Sequence, residues 1–296
     1  MPQSEENMKK ILITGSSGLV GNEVVSALKK DEDWKIFAAT SREAACTAGN
    51  VCYINNVDLE RVLREEKIDV LLQLAFPRNV REDQWARGME FSAHVLGLAY
   101  RYSVGKVINV SSQSIFGWQR TEPARESDGV ILNSPYTTGK YWSELMVNEM
   151  FAGIPHTNVR LSTIIGPTTA ERVPNKFFAQ ITAGEILKIK GGQQIFSFMD
   201  VRDAARGLIE LIKTQAPLRP VYNLGTKEYA TLLEIAKLAV NIGAEHGYTS
   251  GIQVEEADIV LNNRMDVSAM EKDFGWKAVY TLKESMENIY RQNYQV

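Results

Sequence analysis

The chain has 296 residues, 44% of them hydrophobic, with a formal net charge of −3 and a pI of about 5.8. That length and apolar content suffice for one large α/β domain and a smaller one. The mildly acidic balance excludes a general nucleic-acid or anionic-membrane surface. With no apolar run of membrane-span length and no visible signal peptide, a cytoplasmic protein is expected.

Cys46 and Cys52 form neither a metal spacing nor a disulfide framework, and His94, His156 and His246 are scattered. No metal is expected. An apolar run at 10–14 reads as a strand. It is followed by Gly15, Gly18 and Gly21 at intervals of three, then by a helical stretch at 22–29. Strand, glycine turn and helix are the setting of a dinucleotide fingerprint. Gly15 allows the tight turn, Gly18 lets backbone approach a pyrophosphate, and Gly21 lets the helix pack close to the strand. Ser17, Leu19 and Val20 complete the loop, and the helix start offers free N–H groups to phosphate.

Further strand-like runs at 35–40, 51–54, 69–74 and 106–110 alternate with helical stretches. This is the pattern of a doubly wound parallel sheet. The last run leads into Ser111 and Ser112. Tyr136 and Lys140 then stand four residues apart on a helix, on one face. A free phenol loses its proton near pKa ~10. A neighbouring ammonium favours the phenolate, and the Ser112 hydroxyl would hold a substrate oxygen beside it. Together they make a proton-transfer site for oxidising an alcohol or reducing a carbonyl.

The glycine spacing with Tyr136 and Lys140 downstream resembles the extended branch of the short-chain dehydrogenase/reductase superfamily, the NAD(P)-dependent epimerase/dehydratase family. Arg160, Gly166 and Pro167, the segment around Asp203, Tyr222-Asn223, Asp266 and Gly275-Trp276 carry the likeness across nearly the whole chain. Ser134-Pro135 and Glu126 also fit. The resemblance implies a doubly wound Rossmann sheet with a smaller C-terminal substrate lobe. The division expected is 1–168 for dinucleotide binding and 169–296 mainly for the lobe, with segments at about 194–225 returning to the sheet. An amphipathic segment is read at 176–188.

In such a fold the second strand ends near the adenosine ribose, where an acidic residue favours NAD. Here Thr40, Ser41 and Arg42 stand instead, two hydroxyls and a guanidinium that suit a 2′-phosphate. NADP is therefore the preferred cofactor and NAD the other possibility. Ala75 resembles the family position lining the cofactor, and the resemblance gives Lys140 the nicotinamide ribose.

In the family the active hydroxyl lies four residues before an aromatic-Gly pair, here Phe116-Gly117, which points to Ser112, with Ser114 the weaker choice. The 4,6-dehydratases carry Asp-Glu after that hydroxyl; this chain has Gln113-Ser114, which cannot replace two carboxyl groups. Many nucleotide-sugar members pair diphosphate with an Arg where Phe196 stands, and with an Asn where Thr163 stands. Arg172, Arg202 and Arg264 are the cations that would compensate. The leading expectation is an NAD(P)-dependent oxidoreductase or epimerase acting on a sugar or sugar nucleotide. The alternatives are an NADPH-dependent reductase of a smaller non-nucleotide carbonyl compound and a non-catalytic dinucleotide sensor. Helices at 82–104 and 136–152 form the usual family dimer face, so a homodimer is a possible assembly.

Overall fold

The computed structural model describes residues 8–42, 46–77 and 82–295. In chain order come β1 (Lys9–Thr14), α1 (Leu19–Leu28), β2 (Trp34–Thr40), β3 (Cys46–Ala48), β4 (Val51–Asn55), α2 (Leu59–Glu65), β5 (Val70–Gln73), α3 (Glu82–Arg101), β6 (Lys106–Ser112), α4 (Pro135–Met150) and β7 (His156–Leu161). They are followed by β8 (Thr163–Ile165), α5 (Val173–Thr182), β9 (Leu187–Lys190), β10 (Ile195–Phe196), β11 (Phe198–Asp200), α6 (Val201–Lys213) and β12 (Val221–Leu224). The chain ends in β13 (Ala230–Thr231), α7 (Leu232–Glu245), β14 (Ile252–Glu255), α8 (Ser268–Phe274) and α9 (Leu282–Tyr294).

The chain divides into two compact units, 1–115 with 130–161 and 205–222, and 116–129 with 162–204 and 223–296. The first unit is organised by an eight-stranded sheet in the order β12-β7-β6-β5-β1-β2-β4-β3. β1 pairs in parallel with both β2 and β5, so the strand order reverses at β1. That reversal is the place where doubly wound sheets bind ligands, at the carboxyl ends of the strands. β5 and most of β6 are buried without alternation, as strands covered on both faces are. Leu12, Phe37, Leu71 and Val107 from the sheet pack with Leu59, Val62, Val95, Leu96 and Val147 from α2, α3 and α4. Of this sheet, the runs read along the sequence leave out β7 and β3; β3 gives no signal there. It is short, exposed and antiparallel to β4, with no apolar run to mark it.

The second unit has its own core, where Phe177, Phe178 and Ile181 of α5 meet Ile235 and Ala239 of α7 and Met286, Ile289 and Tyr290 of α9. Two of these helices open with reciprocal capping boxes, Thr231 with Glu234 and Thr281 with Glu284. Each satisfies two otherwise orphaned N–H groups.

Two expectations change here. The segment around 194–203 does not rejoin the large sheet. β10 pairs with β13 and β11 with β8, in separate two-stranded sheets, because β11 is in register with Thr163–Ile165. Of the stretch 194–225, residues 205–222 belong to the first unit and the rest to the second, although β12 runs in the large sheet to Leu224. The amphipathic segment 176–188 is also not continuous: α5 stops at Thr182, Gly184 takes φ +76°, and a strand begins at Leu187. Positive φ at glycine is a common way to leave a helix.

Candidate active site

The turn after β1 is closed to side chains at Gly15 and at Gly21 just beyond it. Gly15 has φ +68°, and a Cβ there would lie 3.0 Å from the Ala75 backbone nitrogen. A Cβ on Gly21 would lie 2.3 Å from the Gly15 carbonyl oxygen, so the helix can sit on the turn only if residue 21 is glycine. Gly18 is the N-cap of α1; the cap has no side-chain hydrogen bond and the first turn no acidic residue. Leu19 and Val20 open the helix there. A backbone-lined cradle at a helix start with no side-chain competitor fits a phosphate group.

The strand ends are tied beneath this cradle. The Thr14 hydroxyl donates to Gln73 Oε1 at 2.6 Å and accepts from the N–H groups of Leu74 and Ala75 at 3.3 Å. Ala75 therefore stands against Gly15. On the other side, the Ser16 hydroxyl donates to the Ala39 carbonyl, and the Ser17 and Thr40 hydroxyls are 2.9 Å apart. Thr40 is buried and also accepts from the Arg42 N–H at 3.2 Å. Its hydroxyl thus shapes the loop, and Ser41 and Arg42 are the exposed groups at the end of β2. Asp58, the N-cap of α2, accepts from Arg61 and makes no side-chain cap hydrogen bond.

α4 begins with Ser134 as N-cap, in a capping box with Thr137, and with Pro135 in the first turn. Tyr136 follows in that turn, half-buried, and Lys140 lies one turn on, 6% exposed. The Lys140 ammonium donates to the Val110 carbonyl oxygen at 2.7 Å. Burial pushes its pKa down to about 7, with the Glu144 carboxylate opposing the shift. The Phe76 ring lies edge-on to Tyr136 at 6.0 Å and 5.0 Å from the Lys140 ammonium. Gly139 makes room for it: a Cβ there would be 2.3 Å from Phe76 Cζ.

Ser112 ends β6, two residues after Val110. Its hydroxyl donates to the Ser114 hydroxyl at 3.1 Å and accepts the Ser114 N–H at 3.2 Å. Ser112, Ser114, Tyr136 and Lys140 thus belong to one unit, with Lys140 bonded to the strand that carries Ser112. Behind α4, Glu144 receives Arg160 through Nε and Nη2 at 2.8–3.3 Å, both residues buried. Asn109 donates to Ser143 and Asn158. These bonds fix the helix on β6 and β7. A buried polar network satisfied in this way sets one geometry.

The substrate candidates separate. Thr163 and Phe196 line one cavity of the second unit, with Arg172. Arg264 lines another, with Tyr229 and Asp266, and donates to Asn262 Oδ1 and the Thr121 carbonyl. Arg202 lines neither. It forks onto Asp200 at 2.7–2.8 Å, and its guanidinium carbon lies 3.6 Å from the Tyr280 ring centroid. Its motif position marked it as a substrate cation, yet the structure gives its charge to Asp200. Asn223 and Glu126 also prove to be internal ties: Asn223 donates to the Ala124 and Asp266 carbonyls, and its N–H to Glu126. Sequence reasoning missed Phe76, Gly139 and Val110 around Lys140, and Trp118, which lines the cavity with Thr163 and Phe196. The glycine inside the Tyr136–Lys140 interval was the one visible signal.

The sequence model of the NAD dependent epimerase/dehydratase family matches residues 11–225. Among curated proteins, dTDP-D-glucose 4,6-dehydratase of Bos taurus is 24% identical over 97% of this chain and 90% of its own length. UDP-glucuronic acid decarboxylase 1 of Danio rerio is 26% identical over 96% of this chain and 72% of its own. Among solved structures, UDP-glucuronic acid 4-epimerase from Bacillus cereus, in complex with UDP-glucuronic acid and NAD, superimposes with a TM-score of 0.82. It is 21% identical, covering 95% of this chain and 98% of that one, a likeness of fold.

Proposed function

Because this chain belongs to the NAD dependent epimerase/dehydratase family, we propose that it is an NAD(P)-dependent oxidoreductase or epimerase acting on a carbinol or ketone carbon of a sugar or sugar nucleotide. The bound dinucleotide supplies hydride exchange with that carbon. The chain supplies the rest. Gly15, Ser17, Gly18, Leu19, Val20 and Gly21 form the cradle for the pyrophosphate, and Ala75 flanks it. Tyr136 exchanges the proton with the substrate oxygen, and Ser112 holds that oxygen through its hydroxyl. Lys140 steadies the phenolate and holds the nicotinamide ribose. The observation that carries this reading is the Lys140–Val110 hydrogen bond at 2.7 Å, which ties the ammonium to the strand ending in Ser112.

Elimination of the 4,6-dehydratase kind is disfavoured, since Gln113 and Ser114 offer no carboxyl groups for it. NADP(H) is preferred over NAD(H), because the exposed Arg42 at the end of β2 suits a 2′-phosphate. A homodimer through α3 and α4 is supported by Tyr100 and Leu145, both about half exposed. The protein is read as cytoplasmic; among the described residues no helix is long and apolar enough to cross a membrane.

A second reading, an NADPH-dependent reductase of a smaller non-nucleotide carbonyl compound, is favoured by one observation. The cavity holding Thr163 and Phe196 has a largely apolar wall. Titration with NADPH and NADH, followed by a carbonyl and nucleotide-sugar screen, tests both readings. A retained co-purified cofactor favours an epimerase, which regenerates it each cycle. Absence of cofactor binding sinks both.

A further inference from the structure

Phe76 and Pro77 follow β5 and lie against two helices at glycines. A Cβ on Gly139 of α4 would lie 2.3 Å from Phe76 Cζ. One on Gly88 of α3 would lie 2.6 Å from Pro77 Cδ and 3.6 Å from Phe76 Cε2. Trp85 Nε1 would lie 3.1 Å from the same Gly139 Cβ, so α3 brings an indole to that gap. Glycine inside a helix is less stable than alanine. Both helices nevertheless carry it where the Phe76-Pro77 pair comes closest. The residue before a proline is also confined to extended backbone, which limits the directions the Phe76 ring can take.

The ring faces both Tyr136 and Lys140. Tyr136 meets it edge-on, with centroids 6.0 Å and planes 69° apart, and the Lys140 ammonium lies over it, 5.0 Å from its centroid. An ammonium within ~6 Å of a ring face is attracted to it, yet a ring solvates a charge far less well than water does. Burial accordingly holds the Lys140 pKa down at about 7. Among the described residues, the titratable groups around this ammonium are Glu144 and Tyr136 on its own helix and Arg160 of β7, which binds Glu144. β6 presents the Val110 carbonyl and the segment after β5 presents the Phe76 ring, neither of which titrates. The ring is therefore an apolar wall of the ammonium that can be altered without touching a charge.

We propose that Phe76 is a positioning residue of this site: its ring, seated in the slot that Gly88 and Gly139 leave open, fixes Tyr136 and Lys140 and keeps water from the Lys140 ammonium. The importance of this for proton transfer rests on the reading above, in which Tyr136 and Lys140 act together; the ring's hold on Lys140 does not.

The test is NMR of the lysine side chains on the full chain without added cofactor, with Lys140 assigned by its loss in Lys140→Met. In the wild type the Lys140 methylene next to the ammonium is expected upfield of the other lysines, shielded by the ring face, and to titrate at about pH 7. Phe76→Leu keeps an apolar wall without a ring. It should abolish the upfield shift and leave the titration midpoint in place or lower it. Phe76→Ala admits water and should raise the midpoint by about one pH unit or more. Gly139→Ala should lower the thermal melt of the wild type but not of Phe76→Ala, where the slot is empty. A wild-type Lys140 methylene without the upfield shift overturns the proposal, whether or not Phe76→Ala folds. So does a midpoint that is the same in Phe76→Ala and the wild type, or that rises equally in Phe76→Leu and Phe76→Ala. No turnover is measured, so the outcome is independent of whether Tyr136 proves catalytic.

Discussion

Lys140 reaches across from α4 to the carbonyl oxygen of Val110 in β6, 2.7 Å away, and is 6% exposed there. One bond thus sets the helix bearing Tyr136 against the strand ending in Ser112. The ammonium stays buried because it has an acceptor, and Glu144 one turn on favours its charge.

Tyr136→Phe keeps the ring and its edge contact with Phe76 but removes the proton. Once a substrate is in hand, turnover is expected to fall by about two to four orders of magnitude, with cofactor affinity nearly unchanged. Steady-state kinetics beside cofactor titration checks this. Unchanged turnover would remove Tyr136 from the chemistry.

The Lys140 pKa, about 7 in the folded chain against an ordinary 10.5, makes stability pH-dependent. Between those values the unfolded chain binds a proton that the folded chain has released, so stability rises with pH across that window. Lys140→Met lacks the group. The wild-type advantage in unfolding free energy over this variant should therefore grow between pH 7 and pH 9, by about 1–3 kcal/mol. Urea melts at the two pH values measure it, and a difference that is flat or falls refutes the buried ammonium.

Arg42 is exposed beyond the buried Thr40, whose hydroxyl is occupied by Ser17 and the Arg42 N–H. Arg42→Ala should weaken NADP(H) by about 1–3 kcal/mol and leave NAD(H) nearly untouched. Calorimetry showing equal affinity of the wild type for both cofactors would make the β2 end indifferent to the 2′-phosphate.

At Gly21 a Cβ would meet the Gly15 carbonyl oxygen at 2.3 Å, and that backbone oxygen cannot swing aside. Gly21→Ala is expected to cost about 1–3 kcal/mol and to weaken both cofactors. Gly97→Ala is the control, since a Cβ in that part of α3 meets nothing within 4 Å. It should be neutral or stabilising by about 0.5–1 kcal/mol. Thermal melts that do not separate the two would contradict the close packing of turn and helix.

Arg202 satisfies the nearly fully buried Asp200 through two side-chain bonds and its own N–H. Arg202→Ala leaves that carboxylate short of partners, so a loss of about 2–4 kcal/mol in stability is expected. Its KM for any nucleotide sugar should not move. A raised KM with an unchanged melting temperature would return Arg202 to the substrate.

The sheet and the cradle were legible along the chain because both are local. Gly15, Gly18 and Gly21 sit on one turn, and 10–14, 69–74 and 106–110 are apolar runs that only burial on both faces explains. Tyr136 and Lys140 are likewise one helical turn apart, so their shared face follows from 3.6-residue periodicity. What the sequence left open depends on partners far along the chain. Thirty residues separate Lys140 from Val110, and Phe76 meets Gly139 through a gap that no spacing marks. Two arginines of similar motif standing parted company in the same way. Arg202 folds back onto Asp200, whereas Arg264 faces a cavity, because a charge takes whichever partner the tertiary structure brings within hydrogen-bonding distance. Sequence determined which groups exist and which lie one turn apart. Tertiary packing decided which of them have acceptors already, and so which are left for a ligand.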